Sequence, residues 1–407
     1  MNHSGIESPL QKTWKRLKRN KPAILSLSII VIAVLLGILG PAIAPDKTPD
    51  ADDQVLELAN QKPGFSTKML LVRKNRDVRD APFWKKALVG RDNPYEMVPI
   101  NKFSFNDKAV VVEAFNGEAS PEERIYSLVD VVYSLSTENP QINYSNNKAT
   151  FHTFDNRFKT ADIQAMKREV KNNLVITKTY RLGTDGYGRD ILSRLLFGVR
   201  VSLTVGLVAV MISLTIGIFM GSMAGYFRGW LDNVIMWLIN VVWSIPTILL
   251  AMAIRFAIGD KINSFLAIFI AVGLSMWVEV ARIVRGQVLG VREMEYVQAA
   301  RGLGYNNFRI ILKHILPNII GPIMVIAASD FASAILIESG LSFIGLGVKP
   351  PTPSWGTMLN DHRAYLLTPD KAFLALAPGI CIMVLVLAFN LLGNGLRDAF
   401  DVKGQTI

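Results

Sequence analysis

The stretch Lys12–Asp46 reads KTWKRLKRNKPAILSLSIIVIAVLLGILGPAIAPD: six cations, an apolar run from Ala23 to Ala44, then a Pro-Asp stop. About 20 mostly apolar residues carry a helix across the hydrocarbon core of a bilayer. The 22 residues of this run suffice. A cleavable signal peptide is also basic then apolar, but its apolar part is only about 7–15 residues long. The run therefore predicts an uncleaved first span with its basic flank in the cytoplasm. Five more apolar runs follow, at Val201–Ala224, Val234–Ile258, Phe265–Ile283, Ile319–Ile337 and Phe373–Leu392. Traced alternately, they put Met1–Pro22, Tyr226–Asn233, Val284–Asn318 and Arg397–Ile407 inside. The long loop among these carries Arg285, Arg292, Arg301, Arg309 and Lys313 against Glu293 and Glu295. Six spans with both ends cytoplasmic are expected.

Composition agrees with a membrane chain. Of 407 residues, 50% are hydrophobic and 19% charged, and the mean hydropathy is +0.30. Those values exclude a disordered chain and a disulfide framework. The net charge is +11, yet residues 46–180 hold 20 basic and 19 acidic residues. The excess thus lies in short segments between apolar runs, as membrane topology requires. Nucleic-acid binding would need basic residues interleaved with aromatics on one face. Cys381, alone in an apolar run, has no intrachain disulfide partner and reads as a small buried side chain.

Residues 46–180 are the soluble-looking exception. Lys108–Phe115, Ala149–Phe154 and Leu174–Thr179 read as strands, and Asp162–Asn172 as a short helix. An α+β extracytoplasmic insert between the first and second spans is expected. Long domains cross the membrane largely regardless of charge. Its only histidine is His152 and it has no cysteine, so no metal-ligand spacing is present. A GxSxG elbow and a phosphate-binding loop are also missing.

The long loop reads EYVQAARGLG at 295–304, and HILPN follows nine residues later at 314–318. Val284, Val288 and Val291, then Phe308, Ile311, Leu312 and Ile315, recur at helical spacing and predict two short amphipathic helices. Gly302 and Gly304 supply the turn, and Pro317 ends the second helix. Small Ala299 and Ala300 would let another surface approach closely. Equally, such helices could lie on the membrane or on their own bundle.

This stretch resembles the EAA loop of ABC importer permeases, whose pattern is E-A-A, three residues, G, nine residues, then I-x-L-P. Here Gln298-Ala299-Ala300 stand three residues before Gly304, and His314-Ile315-Leu316-Pro317 close the motif. Gln replaces Glu and His replaces the first Ile, while the spacing is intact. The HILPN form is similar to the dipeptide, oligopeptide and nickel permease subfamily. LGTDGYGRD at 182–190 resembles its LGTDxxGRD signature. GLSFIGLG at 340–347, followed by PPTPSWG at 350–356, is similar to its outer loop. NLLGNGLRD at 390–398 resembles its closing NLLGDGLRD, with Asn394 for Asp. The resemblance covers about residues 12–45 and 181–402.

It implies an all-α polytopic membrane protein with six transmembrane helices, like a type I ABC importer permease, in the bacterial plasma (inner) membrane. The implied order is a tail at 1–22, the first span at 23–44, the insert at 46–180 and an interfacial helix at 181–200. The permease transmembrane domain follows at 199–396, with its coupling loop at 284–318, and then a tail at 397–407. The implied function is import of di- or oligopeptides by a subunit forming half of the translocation path. Implied partners are a second homologous permease, two ABC ATPase subunits and an extracytoplasmic solute-binding protein. No Walker-type G-x-x-x-x-G-K-[ST] occurs, so the chain is expected to be no enzyme and to carry no cofactor or metal, ATP being used by partner subunits. Gln298, Ala299, Ala300, Gly304, His314, Leu316 and Pro317 would couple to the ATPases. Pro351, Pro353 and Trp355 would meet the binding protein.

The remaining residues keep alternatives open. Thr184 or Asp185 can cap a helix with an apolar stripe of Ile191, Leu192, Leu195, Leu196 and Val199, placing Arg189, Arg194 and Arg200 at headgroup level. Asp330 and Glu338 fall in the fifth run. Intramembrane acids are costly and face a bundle interior, so Asp330 lines the path or pairs with a partner subunit. Pro246 and Pro378 read as kinks. A nickel or other small-solute importer, a membrane-anchored sensor or enzyme, and an ion-coupled transporter are the competing functions.

Overall fold

The computed structural model describes residues 9–76, 82, 89–115, 122–138, 141–259 and 261–400. Of the expected tails, residues 1–8 and 401–407 lie outside the described residues. Contacts divide the chain into two compact units: residues 1–37 with 198–366 and 375–407, and residues 38–197 with 367–374.

Helix α1 (Pro9–Arg19) stops at Asn20, whose side chain accepts from Ala23 N at 3.1 Å and starts α2 (Lys21–Ile43) afresh. Leu25, Ile32, Leu35 and Ile38 of α2 are exposed. That is the surface of a helix solvated by hydrocarbon.

The soluble-looking region builds two antiparallel sheets. Strands β1 (Phe65–Arg73), β2 (Tyr95–Phe105), β3 (Ala109–Ala114), β4 (Glu122–Ser127) and β8 (Val175–Tyr180) order as β4-β3-β2-β1-β8. Strands β5 (Ile142–Ser145), β6 (Lys148–His152) and β7 (Phe158–Asp162) form the smaller sheet in that order. Alternation fixes the inner face: Val110, Val112 and Ala114 are buried along β3. They share a core with Leu70, Val98, Ile100, Phe151 and the short helices α3 (Leu128–Val132) and α4 (Ile163–Glu169). Asp162 caps α4 by accepting from Ala165 N at 2.9 Å.

The region 46–180 resolves into two parts. Its strands begin and end on a stem where Phe65 pairs with Tyr180 and Gly64 N donates to the Tyr180 carbonyl at 2.9 Å. Residues 46–61 instead bond to the 184–193 stretch, through Asp46 N to Ser193 Oγ (2.9 Å), Asn60 N to the Asp185 carbonyl (2.9 Å) and Gln61 N to Thr184 Oγ1 (2.8 Å).

The other apolar runs give α5 (Ile191–Phe227), α6 (Gly229–Trp243), α7 (Thr247–Ile258), α8 (Ser264–Val291), α9 (Glu295–Gly302), α10 (Asn307–Phe343), α11 (Trp355–His362) and α12 (Phe373–Phe400). Five described helices are long and apolar enough to cross a bilayer, or six if α6 and α7 count as one broken span. The expected kink at Pro246 is present and sharp: α6 and α7 are bent by 93° at Ser244–Pro246, because proline takes no helical hydrogen bond there. Two expectations need correction. There is no separate interfacial helix, since α5 runs unbroken from Ile191 over 37 residues. Pro317 does not end its helix: a wide π-type turn at Ile311–Ile315 and a tight turn at Leu316–Ile319 absorb the missing donor within α10.

Helices α5 and α8 meet through small residues. A Cβ on Gly217 would lie 2.5 Å from Val280 Cβ, and one on Gly225 2.8 Å from the Arg285 carbonyl, with Gly221 between them against Ala281. Without a solvent-driven hydrophobic effect, such close approach is how helices associate in lipid.

The stem suggests a clean excision. Replacing Phe65–Tyr180 by a few Gly and Ser residues should leave the chain inserted, because the joined ends already sit one hydrogen bond apart. Membrane fractionation checks this; loss of the shortened chain from the membrane refutes it.

Candidate functional site

The loop between α8 and α10 is a folded knuckle. Gly304 takes φ +76°, a conformation glycine adopts without strain, and turns the chain after α9. Asn306 then caps α10 by accepting from Phe308 N at 3.1 Å. Val297 and Ala300 face inward, in a core with Tyr226, Val284, Val288, Ile310, Ile311 and Ile315. This corrects one expectation: Ala300 is 4% exposed and packs against its own chain. Gln298, Ala299 and Gly304 are exposed, and the Gln298 amide donates to the Glu293 carbonyl at 3.1 Å. His314 is half-buried and stacks on Tyr305, with ring centroids 5.9 Å apart; Leu316 is half-buried and Pro317 exposed.

Outward, the knuckle shows Met294, Tyr296, Leu303 (74% exposed), Phe308 and Leu312. So many large apolar side chains on one short loop mark an interaction surface. Helical spacing puts Phe308 and Leu312 on one stripe with Ile311 and Ile315, but only the isoleucines are buried; Met294, Tyr296 and Leu303 carry no such spacing.

Tyr226, at the end of α5, holds the knuckle from behind. Its hydroxyl donates to Asn307 Oδ1 at 2.8 Å, and its carbonyl accepts from Arg292. The Arg301 and Arg292 guanidinium carbons lie 5.5 and 5.9 Å from its ring centroid. Arg228 pairs with Glu293 at 2.6 Å, and Arg285 grips Asp232 with two bonds of 2.6 and 2.7 Å. Burial, with Arg228 and Arg301 close by, lowers the pKa of Arg292.

A second cluster sits in the LGTDGYGRD stretch. Arg189 and Arg194 do not reach headgroup level as expected; they are 5% and 3% exposed. Arg189 Nε bonds Asp185 at 2.7 Å and its Nη1 bonds Asp52 at 3.0 Å. Arg194 lies 3.7 Å from Asp185. Burial disfavours the Arg189 cation, but Asp185 and Asp52 hold its pKa above the ordinary value. Asp190, rather than Thr184 or Asp185, caps α5 by accepting from Ser193 N at 2.8 Å. Burial raises the pKa of Asp190 and of Asp53, whose carboxylate accepts from Asn93 at 2.8 Å. Thr184 donates to the Leu58 carbonyl, and a Cβ at Gly188 would collide with the Val55 carbonyl. The signature is a clamp on residues 46–61.

Of the expected outer contacts, Pro351 is exposed but Pro353 and Trp355 are buried. Trp355 opens α11 beneath a Ser354 capping box and packs against Gly198, where a Cβ would lie 2.7 Å from its ring. It fills the bundle and offers nothing to a partner. Asp330 is 2% exposed and accepts from Ser213 at 3.2 Å. Glu338 is fully buried and accepts from Ser342 at 2.7 Å. No group of three or more potential metal-ligating side chains occurs among the described residues.

Membrane-length helices around a keyed, outward-apolar loop define a membrane transport component. Residues 214–403 match the family described as "Binding-protein-dependent transport system inner membrane component", and residues 8–63 match "N-terminal TM domain of oligopeptide transport permease C". A glutathione transport system permease protein of Pectobacterium atrosepticum is 40% identical over 222 residues, covering 54% of this chain and 72% of that one. A dipeptide transport system permease protein of Alkalihalophilus pseudofirmus is 42% identical over 221 residues, covering 54% and 71%. The chain belongs to the ABC importer permease family, in its peptide and oligopeptide subfamily. An inward-facing structure of the MetNI methionine ABC transporter aligns at 18% identity and TM-score 0.44 over 52% of this chain and 98% of that chain. The second family match ends at residue 63, just before β1.

The clamp makes a measurable claim. Arg189→Ala removes the hydrogen-bonded countercharge of Asp185 and Asp52 and leaves them only Arg194, at 3.7 and 3.9 Å, at a cost of up to about 3–5 kcal/mol. Thermal unfolding of the purified protein should shift down, and Arg189→Lys, which keeps the charge but not the fork, should fall between. An unshifted Arg189→Ala would show that the clamp does not bear on stability.

Proposed function

We propose that this chain forms half of the translocation path of an ATP-driven importer of short peptides, fed by an extracytoplasmic solute-binding protein. It pairs with a second permease and with two ATPase subunits. The observation that carries this reading is the knuckle: Met294, Tyr296, Leu303, Phe308 and Leu312 exposed on a loop fastened from behind by Tyr226. Glutathione and dipeptides, named for its relatives, are short peptides, which supports that substrate class. The chain crosses the inner membrane six times, α6 and α7 together making the third span, with both termini in the cytoplasm. The β-stranded module is an accessory docking or assembly domain outside.

The knuckle test uses exposed positions. Ala299→Asp or Leu303→Asp buries an unpaired charge at the ATPase contact, at about 3–5 kcal/mol, or more than a hundredfold in association. Co-purified ATPase and peptide uptake should both fall while the permease stays in the membrane. Ala300→Asp should instead damage the knuckle itself and lower the yield of folded permease. Full ATPase retention in both exposed variants would overturn the coupling role.

Topology is checked by impermeant thiol labelling in a Cys381→Ala background. Cysteine at Thr160 on the module should label in intact cells, and cysteine at Asn306 only after lysis. Labelling of both from outside ends the six-span reading.

Asp330, an acid held by Ser213 in the middle of α10, stands where a peptide's ammonium group would pass. Losing a charge-assisted hydrogen bond worth roughly 1.5–3 kcal/mol should raise KM for a dipeptide at least tenfold in Asp330→Asn. An unchanged KM removes Asp330 from the path.

A further inference from the structure

Helix α1 plays no part in the coupling and path assignments. It carries Lys12, Lys15, Arg16, Lys18 and Arg19, and no acid occurs between Pro9 and Lys21. One side of it is fastened. Leu17 is buried with Ala23, Leu396 and Ala399, and Asn20 Nδ2 donates to Asp398 Oδ2 at 3.3 Å. Trp14, in contrast, is 46% exposed, and Lys18 Nζ lies 5.3 Å from its ring centroid. Lys15, Lys18 and Arg19 are also exposed.

The break at Asn20 places this helix at the mouth of α2, where the chain passes from cations to 23 residues of mostly apolar helix. An indole seeks the boundary between hydrocarbon and water, where its ring is apolar and its N–H is wet. Basic residues in the last turn suit the helix dipole. Like charges spaced along one short helix repel one another, and exposed Lys18 stands beside Trp14, with exposed Arg19 next to it in the chain. Anionic headgroups at the membrane surface supply countercharge at the depth where Trp14 sits.

We infer that α1 is a binding site for anionic phospholipid, with Trp14 at the level of the glycerol backbone and Lys15, Lys18 and Arg19 on headgroup phosphates. Which leaflet it occupies rests on the topology proposed above; headgroup binding does not.

The test uses the whole transporter in nanodiscs that hold phosphatidylcholine and phosphatidylglycerol, one or the other brominated. Subtracting a Trp14→Phe sample isolates the Trp14 fluorescence. Brominated phosphatidylglycerol should quench it more than brominated phosphatidylcholine at equal mole fraction, and added salt should erase the preference. Each surface cation strengthens the attraction roughly fivefold, so K15Q/K18Q/R19Q should cut the preference on the order of a hundredfold at low salt. Equal quenching by the two lipids at low salt in the unaltered protein overturns the proposal. So does a Trp14 signal shielded from both lipids until the ATPase subunits are stripped away, which would make α1 a protein contact. Cysteine at Gln11, labelled separately, reads the leaflet: labelling opposite to cysteine at Asn306 would overturn the topology and leave headgroup binding standing.

Discussion

The close approach of α5 to α8 is the constraint on which the functional end depends. Gly217, Gly221 and Gly225 let the α5 backbone reach Val280, Ala281 and Arg285 of α8, and in lipid such packing is the main source of helix association. It delivers Tyr226 to the α8–α9 junction. There the tyrosine collects Arg292, Arg301 and Asn307, and the next residues add the Arg228–Glu293 and Arg285–Asp232 pairs. A bulky residue at 221 would push α5 away from α8. The knuckle would then lose its orientation with no change in its own sequence.

What hydropathy makes legible is length and exposure to lipid, and there the runs at 23–44, 201–224, 265–283, 319–337 and 373–392 lie within helices but for Ala44. Direction is not legible in that way. Pro246 marks a kink in the sequence but does not show that it reaches 93°. Pro317 misled for a related reason: a proline stops a helix only where no wider turn can take up the unpaired carbonyl. Strands of the module were readable where one face is buried, as at Ala109–Ala114, since alternation then shows in the residue pattern.

Side-chain roles were readable only when partners are close in sequence. Gly304 and its spacing marked the turn correctly. Ala300 looks outward only until Val297, three residues earlier, is seen to share its face with Tyr226 and Ile310, residues that sequence spacing does not bring near. Arg189 depends on Asp52, 137 positions away across the whole module. Asp185, four residues before it, is within reach in the sequence, but the second carboxylate that buries the cation is not. The module hides the pairing by separating its partners, yet barely disturbs it. Its ends close on one stem, so nearly all of its chain is outside the clamp.

Exposed apolar residues are sorted by their charged neighbours. Within α2 no charged residue follows Lys21, and hydrocarbon is the fitting surround. On the knuckle, Leu303, Phe308 and Leu312 stand among Arg301, Arg309, Lys313 and Glu295, a mixture of signs that hydrocarbon would penalise and a folded protein surface can match group by group. On α1 a single exposed indole stands on a helix whose charged residues are all cations. A protein partner would need a dense acidic patch to answer it, whereas an anionic bilayer surface presents that charge at every point around the helix. One chain thus shows lipid tails, a protein and headgroups three different faces, and it is the charge pattern, more than the hydrophobicity, that tells them apart.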